Sequence, residues 1–155
     1  MTTEENHPVL GEIGLDNFAP YLLNRIMGRY NASLRAEMAA LELTTPQMRS
    51  LAVLAIRNGI LIRELAVYAV VEQSTLSRAL EKLVKTEMVR LENDQIDTRG
   101  TRGFITSAGR DAFAKIWPRM AASYEQMFQN IAESERVAFV STLKKILGNV
   151  RKNEV

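Results

Sequence analysis

The stretch Gln73-Ser74-Thr75-Leu76-Ser77-Arg78-Ala79-Leu80-Glu81-Lys82-Leu83 places hydroxyls, an amide and cations at helical spacing. At about 100° per residue, Leu76, Leu80 and Leu83 fall on one side, while Ser74, Ser77, Arg78, Lys82 and Lys85 project from the other. Hydroxyls and the amides of a first helical turn suit phosphate oxygens. A guanidinium such as that of Arg78 can take a guanine edge in two parallel hydrogen bonds. The competing reading is an ordinary solvated helix face, and periodicity alone favours it. A second constellation follows downstream in Asp97-Thr98-Arg99, with Arg102 just beyond it. Carried on a projecting loop, Arg99 can enter a narrow A·T-rich minor groove, where negative potential is concentrated, with Asp97 positioned to hold its guanidinium. The alternative is a surface pair that steadies a turn.

Catalysis finds no comparable anchor. His7 is the single histidine and cysteine is absent, and there is no Gly-rich phosphate loop or nucleophile elbow. Without cysteine there is no disulfide framework, thiolate nucleophile or zinc–cysteine site. Acidic pairs such as Glu4-Glu5, or Asp94 with Asp97, read as solvated charge rather than a metal site. The expectation is therefore no catalytic residue, no metal and no cofactor. The 155 residues are 46% hydrophobic and 25% charged, which suits one globular domain. No stretch approaches the roughly 18 unbroken apolar residues of a membrane span, and the N-terminus lacks a basic start followed by an apolar run. A soluble, unprocessed, cytoplasmic protein is expected. The net charge is only +2. Residues 1–16 hold four acids and no Lys or Arg, so the remainder, with twenty cations against fourteen acids, is moderately basic.

These side chains need elements to position them. Residues 1–16, interrupted by Pro8, Gly11 and Gly14, read as a flexible acidic arm. Asn17 is placed to cap a long amphipathic helix, residues 17–42, whose apolar positions include Phe18, Tyr21, Leu22, Ile26, Tyr30, Leu34, Met38 and Leu41. Thr44 and Gln47 are spaced for a capping box, with Pro46 in the first turn of the next helix and Gly59 closing it. Two short helices, about 62–68 and 73–86, then form a helix-turn-helix candidate. Residues 88–92 and 101–106 read as a β-hairpin with a long polar tip. A long helix from Ser107 to about Ile131, kinked at Pro118, and a last helix from about Ser134 lead to a basic tail, residues 151–155.

The order of elements and their residues together resemble the MarR family of winged helix-turn-helix regulators over about residues 17–150. Leu43-Thr44-Thr45-Pro46-Gln47 resembles the entry to that family's second helix, and Glu64-Leu65-Ala66 its first helix-turn-helix element. Gln73 to Arg78 is similar to its recognition helix. Asp97-Thr98-Arg99, Ile105-Thr106 and Gly109-Arg110 resemble its wing and the entry to its long fifth helix. Three features depart from the pattern, one of them Arg102, a cation that the family does not require. Glu87 stands where the family usually has a helix-ending glycine, and Gly103-Phe104 interrupts the alternation of the second wing strand.

The resemblance implies a mainly α fold: a winged helix-turn-helix lobe, residues 44–106, with a two-stranded β-wing, and long helices 17–42 and 107–150 forming a dimerisation lobe. It implies a homodimer that sets two recognition helices in successive major grooves of double-stranded DNA. The long apolar stripes agree, because a monomer exposes Phe18, Tyr21, Phe128, Phe139, Leu143 and Leu147. The expected DNA contacts are Gln73, Ser74, Thr75, Ser77, Arg78, Lys82, Lys85, Asp97, Arg99 and Arg102. Family members commonly respond to small phenolic or carboxylate compounds in a cleft between the lobes. Tyr21 and Arg25, four apart on one helix face, can offer an aromatic acid a ring and a cation, although such a pair is more often a core tyrosine beside a surface arginine, and that reading is preferred. Asn24, Asn31 and Trp117 are weaker candidates. The function expected is a ligand-responsive repressor, with no enzymatic activity. The runner-up is a protein-interaction module docking a partner through the winged lobe, where residues 59–110 hold eight cations and seven acids.

Overall fold

A computed structural model describes residues 7–155, so Glu4 and Glu5 of the acidic arm lie outside the described residues. The chain divides into two compact units, one ending at Arg35 and one spanning Ala36–Val155.

In the first unit, residues expected as an unstructured arm wind into α1 (Leu10–Ile13) and a 3-10 turn (Leu15–Asn17) before α2 (Ala19–Ser33). The Glu12 carboxylate accepts the Val9 N–H, which starts the short helix. Asn17 does not cap α2. Its side-chain amide donates instead to the Ile13 carbonyl at 3.0 Å, and Phe18 occupies the cap position. Pro20 sits in the first turn, where its missing N–H costs nothing. The single helix expected over 17–42 is interrupted at Leu34. The Ser33 hydroxyl donates to the Tyr30 carbonyl and the Leu34 N–H reaches back only three residues, to Asn31. Polar side chains that compete for the helix's own acceptors explain the break. No residue of α2 is buried, and Leu22, Ile26 and Met27 are exposed along it.

The second unit begins with the rest of α3 (Arg35–Ala40), which ends on Glu42 in the left-handed region at φ 54°. The capping box forms as expected at α4 (Thr45–Ile56): Gln47 N–H donates to the Thr44 hydroxyl at 3.4 Å and Thr44 N–H to the Gln47 side chain at 2.9 Å. Met48, Leu51 and Leu54 are buried against α5 (Ile62–Ala69) and α6 (Gln73–Lys85), whose contributions include Leu65, Leu76, Leu80 and Leu83. A three-residue turn with Val70 at φ 54° joins α5 to α6 and completes the helix-turn-helix.

Strands β1 (Val89–Asn93) and β2 (Thr101–Ile105) pair antiparallel in unbroken register, from Val89 opposite Ile105 to Asn93 opposite Thr101. The disturbance expected at Gly103-Phe104 does not occur. Gly103 is buried where a Cβ would stand 3.2 Å from Ile62 Cδ1, and it exchanges backbone bonds with Gly59 and Ile60. Gly59 therefore does not cap α4, whose C-cap is Arg57. At φ 80° it lies against the Phe104 ring and binds β2. Leu61 bridges Arg102 as a third edge of this small sheet.

Helix α7 (Ser107–Met127) starts on Thr106, whose hydroxyl accepts the Gly109 N–H, and runs through Pro118 to stop four residues before the expected end. Helix α8 (Glu133–Val150) has no buried residue and leaves Val137, Phe139, Ile146 and Leu147 exposed. Among the described residues no helix is long and apolar enough to cross a membrane. The fold is mainly α with a two-stranded wing, a winged helix-turn-helix.

Candidate nucleic-acid interface

Helix α6 is amphipathic in the sense the sequence requires. Leu76, Ala79, Leu80 and Leu83 are buried, and Gln73, Ser74, Thr75, Ser77, Arg78, Lys82 and Lys85 are all exposed. The same periodicity thus builds the core and clears a continuous polar face. At the start of α6, Glu72 occupies the cap position with an extended backbone and no side-chain capping bond. The first-turn N–H groups therefore point outward beside Ser74 and Thr75, as an anion site requires.

Within that face the side chains differ in freedom. Arg78 and Lys85 have no hydrogen bond or ion pair among the described residues, so both cations are available to an external anion. Ser77 donates its hydroxyl to the Gln73 carbonyl one turn back at 3.1 Å. Lys82 reaches away from the helix to the Glu42 carbonyl at 2.7 Å, tying α6 to the end of α3.

The wing stands beside α6. Between them lies an open cleft of about 750 Å³, lined by the apolar Leu61, Leu80, Val84 and Leu91, by Gln73 and Ser77, by the cations Lys85, Arg63 and Arg99, and by the acid Glu81. Arg99 therefore shares this cleft with Gln73, Ser77 and Lys85 of α6, whereas Ser74, Thr75, Arg78 and Lys82 lie outside its lining. Asp97 does not hold the Arg99 guanidinium. One carboxylate oxygen accepts the Arg99 backbone N–H at 3.0 Å and the other lies 3.5 Å from Arg63. A two-residue reach from a carboxylate to a backbone amide is the shorter closure, and it leaves the guanidinium without a partner among the described residues.

Arg102 turns inward. Its Nε donates to Asp94 at 3.1 Å and its Nη1 to the Gly59 carbonyl at 2.7 Å, which staples the wing to the α4–α5 connection. The guanidinium beside Asp94 holds that carboxyl below its ordinary value. Arg63 is the participant sequence reasoning missed. Its place in the first turn of α5, beside the quoted Glu64-Leu65-Ala66, was the available signal.

Tyr21 and Arg25 come together as their spacing predicted, with the guanidinium carbon 5.9 Å from the ring centroid on α2. Asn24 is exposed, Asn31 is half-buried, and Trp117 is exposed on α7. No group of three or more His, Cys, Asp or Glu among the described residues could hold a metal.

The family model of the MarR family matches residues 41–100, which span α4 to the wing. A MarR-family transcriptional regulator from Silicibacter pomeroyi is 53% identical, covers 96% of this chain and 100% of its own, and superposes with a TM-score of 0.91. The transcriptional repressor IacR of Pseudomonas putida is 22% identical over 128 residues, 83% of this chain and 77% of the repressor. The structure of Bordetella bronchiseptica BpsR, whose DNA binding is regulated by 6-hydroxynicotinic acid, shares the fold with a TM-score of 0.70. It is 23% identical, over 83% of this chain and 97% of its own.

Proposed function

Because the chain belongs to the MarR family of transcriptional regulators, we propose that it is a cytoplasmic, homodimeric repressor whose hold on a near-palindromic operator is released by a small aromatic or carboxylate effector. It is a transcription regulator and not an enzyme. The observation that carries the reading is the outward face of α6, with Arg78 and Lys85 lacking a partner among the described residues, exposed hydroxyls and a first turn without a side-chain cap, beside a wing whose Arg99 guanidinium also has no partner among the described residues.

The recognition face enters the major groove. Its first turn, Gln73 to Thr75 with Ser77, meets phosphates and base edges, and Arg78 takes a guanine through its O6 and N7. Lys85 and Lys82 contact phosphate, Lys82 with the N–H groups not committed to Glu42. Arg99 enters the adjacent minor groove. Asp97 and Arg102 act through the wing: the first fixes the backbone that presents Arg99, and the second locks the wing to the body.

Dimerisation is supported separately by α2 and by α8, each an amphipathic helix with no buried residue. We assign residues 17–42 and 107–150 to the dimerisation lobe, 44–106 to the winged lobe, and 1–16 and 151–155 to the terminal segments. A two-fold axis then sets half-sites ~34 to 36 Å apart. The aromatic heterocyclic acid that acts on BpsR supports an effector of that class here, with Tyr21 and Arg25 offering ring and charge. An effector that favours a different spacing of the two recognition helices takes them out of register with successive grooves and so releases the operator.

Fluorescence anisotropy of a duplex from upstream of the protein's own gene, at two salt concentrations and against a scrambled duplex, tests the reading. Selective, salt-sensitive binding relieved by 6-hydroxynicotinic acid or a related acid is expected. Weak binding equal for both duplexes, with or without the acid, would contradict it.

A further inference from the structure

Ile96 is 93% exposed, the most exposed large apolar side chain among the described residues, and it stands at the tip of the wing. It is not there through looseness of the loop. The Asp94 N–H donates to the Gly100 carbonyl and the Gly100 N–H to the Asp97 carbonyl, both at 2.8 Å, so the tip is closed on itself. Both tip carboxylates have partners, Asp94 on the inner side of the wing and Asp97 in a surface pair with Arg63. Asp94, with its side chain only 10% exposed, lies against Arg102, and Asp97 is bound to the Arg99 amide and faces Arg63. At its tip the wing therefore presents one aliphatic side chain, Ile96, three residues from the Arg99 guanidinium, which has no partner among the described residues, with the polar Gln95 and Thr98 beside them and the half-exposed Asp97 between them paired to Arg63.

A minor groove matches that pair. Its walls are anionic and suit Arg99, and its floor differs between base pairs by a single group: A·T presents acceptors only, while G·C adds the guanine N2 amino donor. An aliphatic side chain pressed to the floor cannot accept from that amino group, so a G·C pair beneath it leaves a buried donor unmet. A guanidinium senses groove potential but does not exclude guanine in this way.

We propose that Ile96 is a specificity residue that packs on the floor of the minor groove beside Arg99 and excludes guanine from the base pair beneath the wing tip. The inference rests on the DNA-binding reading above and adds a base-edge discriminator to it.

The test starts from a randomised 40-bp duplex pool, from which the full-length protein selects its operator. Each position flanking the half-sites is then changed to G·C or to inosine·C, which keeps the major-groove edge of G·C but lacks the N2 amino group. Wild-type protein is expected to bind the G·C duplex about tenfold more weakly than the inosine·C duplex at one symmetric pair of positions. Ile96→Ala and Ile96→Gln are expected to lose that difference while keeping half-site selectivity. Full discrimination retained by Ile96→Ala, or equal affinity of wild-type protein for G·C and inosine·C at every flanking position, would overturn the inference and leave the regulator reading standing. Failure to select any sequence would overturn both. Loss of all duplex binding by Ile96→Ala, with the fold intact by circular dichroism, would make the residue a general affinity contact and equally overturn the specificity role.

Discussion

Arginines of the interface divide by partner rather than by position. Arg78 and Arg99 lack a carboxylate partner among the described residues, whereas Arg102 is spent on Asp94 and the Gly59 carbonyl. Arg78→Ala is therefore expected to cost about 1–3 kcal/mol on the operator and to relax selectivity at one base pair. Lys85→Ala should weaken all duplexes alike and reduce the salt slope by about 1, both readable by titration at several salt concentrations. Asp94 gives the wing a pH dependence of known sign. Its carboxyl is held below the ordinary value by Arg102, so its contribution is fully present above the unfolded value of about 3.9 and is lost as pH falls through the lower folded value. The protection of the Arg102 and Gly103 amides, measured by hydrogen exchange relative to the intrinsic rate at each pH, should fall on acidification into that range. Asp94→Asn should remove the dependence. Sequence reasoning placed Arg78 on the exposed face of its helix and Arg99 on the wing loop because helical phase and loop placement are local properties. It assigned Arg102 to DNA because the Gly59 carbonyl, 43 residues away in sequence, carries no local signal.

Elements built on short-range rules were legible. The Thr44–Gln47 box, the two helices of the helix-turn-helix and the hairpin follow from spacing within one or two turns of chain. Misreadings came where a distant partner decides. Gly59 looked like a helix cap but seats the Phe104 ring, and Gly103 looked like a fault in β2 but gives way to Ile62. The break at Leu34 depends on which acceptor the Ser33 hydroxyl chooses, which apolar periodicity does not register. Glu87 is the instructive departure. It closes α6 at φ 58°, with Met88 N–H reaching back to the Leu83 carbonyl, so the glycine-type ending forms without glycine. Glu87→Gly should relieve the left-handed strain and raise stability by up to about 1 kcal/mol in denaturant melts. Gly109→Ala is expected to do the reverse, by on the order of 2 kcal/mol or more, because a Cβ there collides with the Met88 carbonyl.

At the scale of the molecule, the apolar residues of α8 decide the assembly. An 18-residue helix with no buried residue, exposing Phe139, Ile146 and Leu147, is stable in water only if another surface covers it. Light scattering should give twice the 17.4 kDa of one chain. Leu147→Asp should shift the mass toward the monomer and, with the half-sites no longer linked, weaken operator binding far more than any single contact residue. The stripe was visible in the sequence, and on the proposed homodimer reading a second copy of the chain covers it.

The most direct test compares wild-type protein with the Arg78→Ala, Arg99→Ala double variant on the selected operator and on a scrambled duplex, by anisotropy at one fixed salt concentration. Wild type should prefer the operator by at least about a thousandfold, and the double variant should lose most of that preference while remaining folded and dimeric. Equal operator affinity in the two proteins would contradict the assignment of α6 and the wing as the reading surfaces.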